Sequence, residues 1–416
     1  ELRFRIYDLS SNSNPLFQCE AFFSIVFHDN FHFSIHKPLS LATPHRIHYF
    51  YENFPKMLAS KVIVIKIGSN VLTQANGLPD LERMAHLVQG IKQLIQAGKK
   101  VVLVSSGAVA FGRQSIALPE KLNPVFKKQI WAATGQIRLI NQYLDLFGKL
   151  EQPIAQILVT KEDFRDRKHF LNMKNCLEAL LQQGILPIVN ENDTVTITEL
   201  MFTDNDELAS LTAAMINADT LLLLTNVDGI FTGPPSEPGS ELIEKVSSSM
   251  PEVSSYISAT KSSFGRGGML TKYAMAKKSA DLGIQVIIAN GKREGILSEF
   301  ESGNLRCTWF EPKKLTHATK KWLAHGAQYY KGEITINEGA KNSLSSTVIR
   351  SLLPVGITHI QGEFSKGDIL LIKDEKGEKI GLGRAEYTSK LALERIGQKN
   401  QKALIHYDYL YLFDHE

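Results

Sequence analysis

Residues 66–72 read KIGSNVL, and they follow directly on the apolar stretch Val62 to Ile65. A run of β-branched residues without alternation predicts a strand that is buried on both faces, as in a parallel sheet. Lys66 then stands at the carboxyl end of this strand, where open α/β sheets bind their ligands. Gly68 and Ser69 would leave backbone N–H groups to face an anion. The alternative is a solvent-exposed lysine at a strand end, and other stretches have to decide between the two.

Downstream of this strand, apolar runs alternate with stretches of helical periodicity up to about residue 320. This alternation predicts an α/β fold with an open, mainly parallel sheet in an αβα sandwich. The strand ends carry small-residue turns, such as Ser105-Ser106-Gly107. The predicted strands cover 61–65, 101–104, 154–160, 185–189, 220–224 and 285–289, and the predicted helices cover 81–96, 124–147, 169–182, 207–216 and 272–282.

The chain of 416 residues exceeds the usual size of one hydrophobic core, so its length favours two domains. We expect residues 1–56 to be an irregular extension outside the natural fold, because they are crowded with Phe and His and show no period. Residues 57–315 would form the α/β domain. Residues 320–416 contain short β stretches separated by Gly turns, which predicts a small β-barrel.

Composition excludes several classes of protein. No segment approaches eighteen consecutive apolar residues, so no membrane span is predicted. The three cysteines have neither disulfide nor metal-ligand spacing, which favours a reducing cytoplasm. A net charge of +4 is weak evidence for a polyanionic partner.

Lysines and carboxylates gather at the predicted strand ends. Lys66 and Lys272 lie beside glycine-containing turns, and Asp193, Asp204 and Asp206 follow other strands. Phosphoryl transfer needs charge neutralisation and in-line positioning more than a covalent catalyst. Lysines, backbone amides and carboxylates together therefore favour a site for a polyphosphate with Mg²⁺.

The glycine-rich segment GRGGMLTK at residues 265–272 fits no single phosphate-binding motif. It lacks the Gly-Lys pair of a Walker A loop and the third Gly of a dinucleotide-binding loop. Taken alone, it is equally well explained as a surface turn.

Seven segments, taken in order along the chain, resemble the amino-acid kinase family, and within it the branch that phosphorylates glutamate. The resemblance runs from about Lys61 to the C-terminus. The segments are VIKIGSNVLT (64–73), VLVSSGAVAFG (102–112), RKHFLNMKNCLEALL (167–181), PIVNENDTV (187–195), TDNDELAS (203–210), LLLLTNVDGIFT (221–232) and GRGGMLTK (265–272).

This resemblance implies ATP-dependent phosphorylation of the γ-carboxylate of L-glutamate to L-glutamyl 5-phosphate, the first step of proline biosynthesis. It assigns a catalytic role to Lys66, Lys272 and Asp206, the last organising the two lysines, and glutamate binding to Ser106, Asp193 and Asn205. It assigns nucleotide binding to Lys66, Thr225, Asn226, Arg266, Gly267, Gly268, Met269, Leu270, Thr271 and Lys272. Two positions depart from the family pattern, because Arg266 stands where Thr is usual and Leu270 where Ser is usual.

Physical chemistry agrees with these roles. Asp193 can pair with the substrate's α-ammonium group, while Ser106 and backbone amides take carboxylate oxygens. The γ-carboxylate is already an anionic nucleophile, so the reaction needs no general base. Lys66 and Lys272 would offset its repulsion from the γ-phosphate, with Mg²⁺ bridging phosphate oxygens. The sequence predicts no protein ligand set for the metal.

The family also implies partners. It suggests a homo-oligomer, transfer of the product to a glutamyl phosphate reductase, and a C-terminal PUA domain. PUA domains bind RNA elsewhere, so an RNA-binding protein is a second hypothesis. Residues 313–416 contain sixteen Lys and Arg against twelve Asp and Glu, spread through the segment, so we do not expect RNA binding. The closest alternative is another amino-acid kinase that acts on a different carboxylate or on a nucleotide.

Overall fold

The computed structural model describes residues 60–195, 202, 204–247, 268–313, 330–344 and 350–413, together with two short strands that precede them. The chain divides into two compact units, Glu1–Lys56 and Met57–Glu416. In the first unit, the strands Ser24–Val26 (β1) and His32–Ser34 (β2) form an antiparallel pair. All other elements belong to the second unit.

An eight-stranded sheet with the order β5-β6-β4-β3-β7-β9-β10-β8 forms the centre of the α/β part. The pairs from β5 to β9 are all parallel, whereas β10 runs antiparallel to β9 and parallel to β8. The predicted mainly parallel sheet is therefore confirmed, with an added antiparallel step near one edge. Its strands are Val62–Ile67 (β3), Lys100–Val104 (β4), Ile154–Val159 (β5), Leu186–Glu191 (β6), Thr220–Thr225 (β7), Lys245–Val246 (β8), Gln285–Asn290 (β9) and Cys307–Phe310 (β10).

Helices connect these strands, and most lie where the periodicity predicts them. The predicted helix at 207–216 begins two residues earlier, because the Asp204 side chain caps it. The helices are Leu81–Gln96 (α1), Ala108–Ser115 (α2), Pro124–Gly148 (α3), Lys161–Arg165 (α4), Arg167–Gln182 (α5), Asn205–Met215 (α6), Met269–Asp281 (α7) and Ile296–Ser302 (α8).

Both faces of the central strands are covered, as a continuous apolar run predicts. Alternate strand residues such as Val64 and Leu221 pack in one core cluster with Ala209 of α6 and Ala276 of α7. Ile63, the neighbour of Val64, points to the opposite face and is also fully buried. The helices fall into two groups: α1 contacts α3 and α8, whereas α6 contacts α7.

The topological switch point of the sheet lies between the parallel strands β3 and β7. From β3 the chain continues to β4 on one side, and from β7 it continues through β8 to β9 and β10, which all lie on the other side. In open α/β sheets, ligands bind outside the carboxyl ends of the strands at such a point. Here those ends are Lys66-Ile67 of β3 and Leu224-Thr225 of β7, and Lys66 lies in register with Leu223.

A second, separate sheet follows, with five strands in the order β12-β11-β13-β14-β15. Residues such as Ile334, Leu370 and Ile405 form its core. In the described part of the chain, no helix combines the length and apolar character that crossing a membrane requires. The elements are Gly332–Ile336 (β11), Glu338–Leu344 (α9), Ile357–Gln361 (β12), Ile369–Asp374 (β13), Lys379–Ala385 (β14), Ser389–Arg395 (α10) and Ile405–Leu412 (β15).

Candidate active site

Two lysines converge on one buried carboxylate at the topological switch point of the sheet. Asp206, in the first turn of α6, is completely buried. Lys66 Nζ lies 2.5 Å from Asp206 Oδ1, and Lys272 Nζ of α7 pairs with Asp206 Oδ2. Lys66 lies 140 positions before Asp206 in the sequence and Lys272 lies 66 positions after it, so the fold brings distant residues together. Each carboxylate oxygen orients one ammonium group.

The charges of these three groups depend on one another. Burial favours the neutral form of Asp206, but the two lysines outweigh it and hold its pKa well below the ordinary value. Burial lowers the pKa of Lys66 in spite of the Asp206 charge. Burial also opposes the charge of Lys272, yet the Asp206 carboxylate raises its pKa above the ordinary value. One positive charge in excess remains among the three groups when all are ionised.

The amino terminus of α6 organises this centre. Asp204 Oδ1 accepts hydrogen bonds from the backbone N–H groups of Asp206 at 2.9 Å and Glu207 at 3.2 Å, so Asp204 is the helix cap. Asp204 Oδ2 is buried and has no hydrogen-bond partner within the described residues. Burial and the nearby Asp206 charge raise the pKa of Asp204 to about 6.

The turn after Lys66 differs from its prediction in one respect. The Gly68 N–H donates to the backbone oxygen of Leu224 at 3.1 Å, so it links the ends of β3 and β7 and is not available to an anion. A Cβ at this position would approach the Leu224 oxygen to 3.2 Å and Lys66 Nζ to 3.7 Å. The glycine therefore permits the close approach of the two strand ends beside the lysine.

A second cluster surrounds Asn205, the residue before Asp206. The Asn205 side-chain amide lies 2.9 Å from the Ser105 backbone oxygen, 2.9 Å from Ser106 Oγ and 3.2 Å from Asn190 Oδ1. The turn that carries the serines requires Gly107, whose φ of 106° lies in the left-handed region. Two of the predicted glutamate-binding residues, Ser106 and Asn205, are therefore in direct contact.

The third predicted glutamate-binding residue, Asp193, lies three positions beyond Asn190. Its carboxylate pairs with Lys128 of α3, with Nζ 3.0 Å from Oδ1. Burial raises the pKa of Asp193 to about 6. Burial and the Asp193 charge raise the pKa of Glu191 to about 8. Glu191 also accepts a hydrogen bond from the backbone N–H of Phe202 at 3.0 Å, which anchors the chain just before Asp204.

Sequence reasoning missed the contribution of the long helix α3. Besides Lys128, its Gln136 accepts a hydrogen bond from the Asn190 side-chain amide at 2.8 Å. The hydroxyl of Tyr143, which is fully buried, lies 2.8 Å from Ser105 Oγ. Positions 128, 136 and 143 are about two helical turns apart, so they lie on one face of the helix. Their spacing was visible in the sequence, but their targets were not.

The predicted nucleotide residues are described in part. Thr225, at the end of β7, is buried, and Asn226 after it is exposed. Gly268 precedes α7, and Met269, Leu270 and Thr271 form its first turn and lead to Lys272. The Leu270 side chain is 40% exposed, so it does not fill the core. Arg266 and Gly267 lie outside the described residues.

The chain is similar to known proteins over most of its length. Residues 61–290 match the amino acid kinase family, and residues 332–407 match the PUA domain. The glutamate 5-kinase of Bacteroides thetaiotaomicron is 49% identical over 353 residues, which cover 84% of this chain and 98% of that protein. The glutamate 5-kinase of Chlorobaculum tepidum is 49% identical over 351 residues, 84% of this chain and 97% of that protein. The glutamate 5-kinase of Myxococcus xanthus is 37% identical over 356 residues, 85% and 94% of the two chains.

Proposed function

The chain belongs to the amino acid kinase family, and we propose that it transfers the γ-phosphoryl group of ATP to the γ-carboxylate of L-glutamate. The product is L-glutamyl 5-phosphate, and the reaction begins proline biosynthesis. The observation that carries the proposal is the buried arrangement of Lys66, Asp206 and Lys272 at the carboxyl ends of the central strands. It supplies two oriented cations, as a phosphoryl group in transfer requires.

The chemistry needs no proton transfer to start. The γ-carboxylate of glutamate is ionised at neutral pH, since its ordinary pKa is about 4.3. One of its oxygens forms a bond to the γ-phosphorus, and the bond from that phosphorus to the β,γ-bridging oxygen breaks, so ADP leaves with the electron pair. Both reactants are anions, and Lys66 and Lys272 reduce their repulsion. Asp206 is the positioning residue that holds both lysines.

Glutamate would lie between the two clusters. Ser106 and Asn205 would hold carboxylate oxygens of the substrate, and Asp193 its α-ammonium group. Asn205 and Asp206 are consecutive residues of α6. The same helix terminus would therefore position the acceptor and the lysines that act on the donor.

The nucleotide would lie over the carboxyl end of β7 and the amino end of α7. Thr225 and Asn226 would contact its nucleoside portion, and the segment from Arg266 to Lys272 would approach its phosphates. The amino terminus of a helix favours such an anion, because its backbone N–H groups and dipole attract negative charge.

Magnesium enters this proposal as part of the Mg·ATP substrate. Among the described residues, no group of three or more His, Cys, Asp or Glu side chains could hold a metal ion. Mg²⁺ commonly keeps several waters and takes its other ligands from substrate phosphates. The buried Asp204 Oδ2 suits the water shell of such an ion, because it accepts no hydrogen bond within the described residues. The ion would neutralise charge on the phosphates.

A coupled assay tests the function. The purified protein is incubated with Mg·ATP and L-glutamate, ADP release is measured, and hydroxylamine traps the acyl phosphate as a hydroxamate. We expect both signals with glutamate and much weaker signals with aspartate, N-acetylglutamate or UMP. A preference for one of the other acceptors would move the protein to another branch of the family. ADP release without hydroxamate would exclude an acyl phosphate product.

We also propose a homo-oligomer in the cytoplasm. The outer face of α3 exposes Ile130, Ile137 and Leu144, which are seven residues apart and 36%, 63% and 56% exposed. Such an apolar stripe supports contact with a second copy of the chain. Light scattering after size-exclusion chromatography tests this: a monomer at micromolar concentration would contradict it.

The labile acyl phosphate product supports transfer to a reductase that consumes it. We propose domain limits of 57–315 and 320–416, with residues 1–56 as an extension, and no RNA binding by the C-terminal domain. Salt-dependent binding of RNA by the full-length chain would contradict the last point.

A further inference from the structure

The polar face of α3 reaches Asp193 of the proposed glutamate site and two residues, Ser105 and Asn190, that contact Asn205. Tyr143 reaches Ser105, Gln136 reaches Asn190, and Lys128 reaches Asp193. Of the three helix residues, only Lys128 carries a charge. Its side chain is 31% exposed, whereas Tyr143 is fully buried. Lys128 can therefore be reached from solvent and can move, which a purely structural anchor does not require.

The position of Lys128 matches the geometry of an α-amino acid. An amino acid carries its ammonium and its carboxylate on the same carbon. If Asp193 takes the ammonium, the α-carboxylate lies close beside Asp193. Lys128 Nζ is 3.0 Å from Asp193 Oδ1 and sits on a flexible four-carbon stem, so it can pair with that carboxylate after a small displacement.

We propose that Lys128 binds the α-carboxylate of the substrate, and that Asp193 and Lys128 together recognise its zwitterionic end. The assignment rests on the proposed function, because it takes glutamate as the acceptor. Without substrate, the two side chains neutralise each other. With substrate, four charges of alternating sign follow one another: Asp193, the ammonium, the α-carboxylate and Lys128.

Two further observations support this arrangement. Burial raises the pKa of Asp193 to about 6 even with Lys128 beside it, so a second positive charge would stabilise the ionised carboxylate further. The backbone after Asp193 has an anchor of its own, because the Gln129 side-chain amide donates to the Thr194 oxygen at 3.4 Å. Removal of the Lys128 charge should therefore leave the segment in place.

The test compares L-glutamate with its 1-amide, which has a neutral carboxamide in place of the α-carboxylate. We expect wild-type kcat/KM to be roughly tenfold or more lower for the amide, the loss typical of one charge-assisted hydrogen bond. In Lys128→Met, the KM for glutamate should rise by about the same factor with little change in kcat. The kcat/KM for the amide should stay unchanged, because this substrate never used the charge. Lys128→Arg should recover part of the glutamate affinity.

If Lys128 only holds Asp193 in place, Lys128→Met lowers kcat/KM equally for both substrates, and the assignment is overturned. Should the amide not be turned over, its inhibition constant against glutamate replaces kcat/KM in the same comparison. The matched control is Lys127→Met, since Lys127 donates to the Glu120 backbone oxygen at 2.6 Å instead. Equal losses in Lys127→Met and Lys128→Met would also overturn the assignment, because they would indicate a general charge effect.

The activity of the wild-type protein distinguishes a failure of this inference from a failure of the proposed function. If the wild type does not phosphorylate glutamate, the proposed function fails and the assignment of Lys128 fails with it. If the wild type does so and Lys128→Met affects both substrates equally, the assignment alone fails.

Discussion

Replacement of Lys66 by Met tests whether the lysine acts on the phosphoryl group in transfer. The side chain is 5% exposed and lies 2.5 Å from Asp206 Oδ1, so its position is fixed before substrate binds. Met has a similar length and no charge, so the substitution removes the ammonium and leaves the apolar contacts of the stem. Lys272 remains paired with Asp206. The buried carboxylate is therefore not left without a partner, and the variant should fold.

The expected size follows from the burial of the charge. Two unit charges 4 Å apart interact by about 4 kcal/mol at the effective dielectric of about 20 that suits protein sites. Removal of one preorganised donor of this kind commonly costs about 3 to 4 kcal/mol, or 10²- to 10³-fold in rate. The negative charge of the phosphoryl group most needs compensation while the group lies between donor and acceptor. Lys66→Met should therefore lower kcat much more than it weakens ATP binding.

Steady-state kinetics with ADP detection, together with ATP binding by calorimetry, make the measurement. Lys61→Met is the matched control, because this lysine directly precedes the same strand and is exposed; its effect should stay within about ±0.5 kcal/mol. Lys272→Met should resemble Lys66→Met. The double variant should lose less than the product of the two effects, since both lysines share Asp206. Near-normal kcat in a folded Lys66→Met protein would refute the role of this lysine.

Three further predictions concern the substrate half of the proposed site and the helix crossing that supports it. Asp193→Ala should raise the KM for glutamate by about tenfold or more and leave the KM for ATP nearly unchanged; equal changes would contradict ammonium binding. Burial raises the pKa of Glu191 from 4.5 to about 8, so the folded state keeps a proton that the unfolded chain releases, and the stability from this group is lost as pH rises through that window. A glutamine at position 191 does not titrate. The melting temperature of Glu191→Gln minus that of wild type should therefore increase from pH 5 to pH 9, and a difference that stays constant would be evidence against the raised pKa. A Cβ at Gly135 would lie 1.8 Å from the Ala108 oxygen, so Gly135→Ala should destabilise by about 1–3 kcal/mol or more. Gly148→Ala should not, because its Cβ would have no neighbour within 4 Å beyond its own stretch of helix; equal melting temperatures would contradict the close helix crossing.

The sequence was most informative where the structure is locally determined. An apolar run that ends in Lys66-Ile67-Gly68 predicts both a buried strand and a ligand-binding edge, because burial on two faces and the βα connection act over a few residues. The helix Leu81–Gln96 agrees with its periodicity at both ends. Its amino terminus is fixed by a local cap, since Asp80 accepts a hydrogen bond from the Arg83 N–H at 3.0 Å.

Contacts between distant segments could not be predicted in the same way. Lys128 and Asp193 are 65 positions apart, and Gln136 and Asn190 are 54 apart. Periodicity indicates which residues share a face of a helix, but not which loop that face meets. The helix crossing that decides this depends on Gly135, whose missing side chain allows close approach to the preceding helix.

The motif Asp204-Asn205-Asp206 shows why the two halves of the site cannot be treated as independent. Asp204 caps the helix, so its carboxylate fixes where α6 begins. Successive helical residues point about 100° apart, and this rotation directs Asn205 toward Ser106 and Asp206 toward the two lysines. One helix start therefore sets the distance between the proposed acceptor site and the cations that we propose act on the donor. A one-residue displacement of that start would move both halves together, which accounts for three consecutive polar residues with three different tasks.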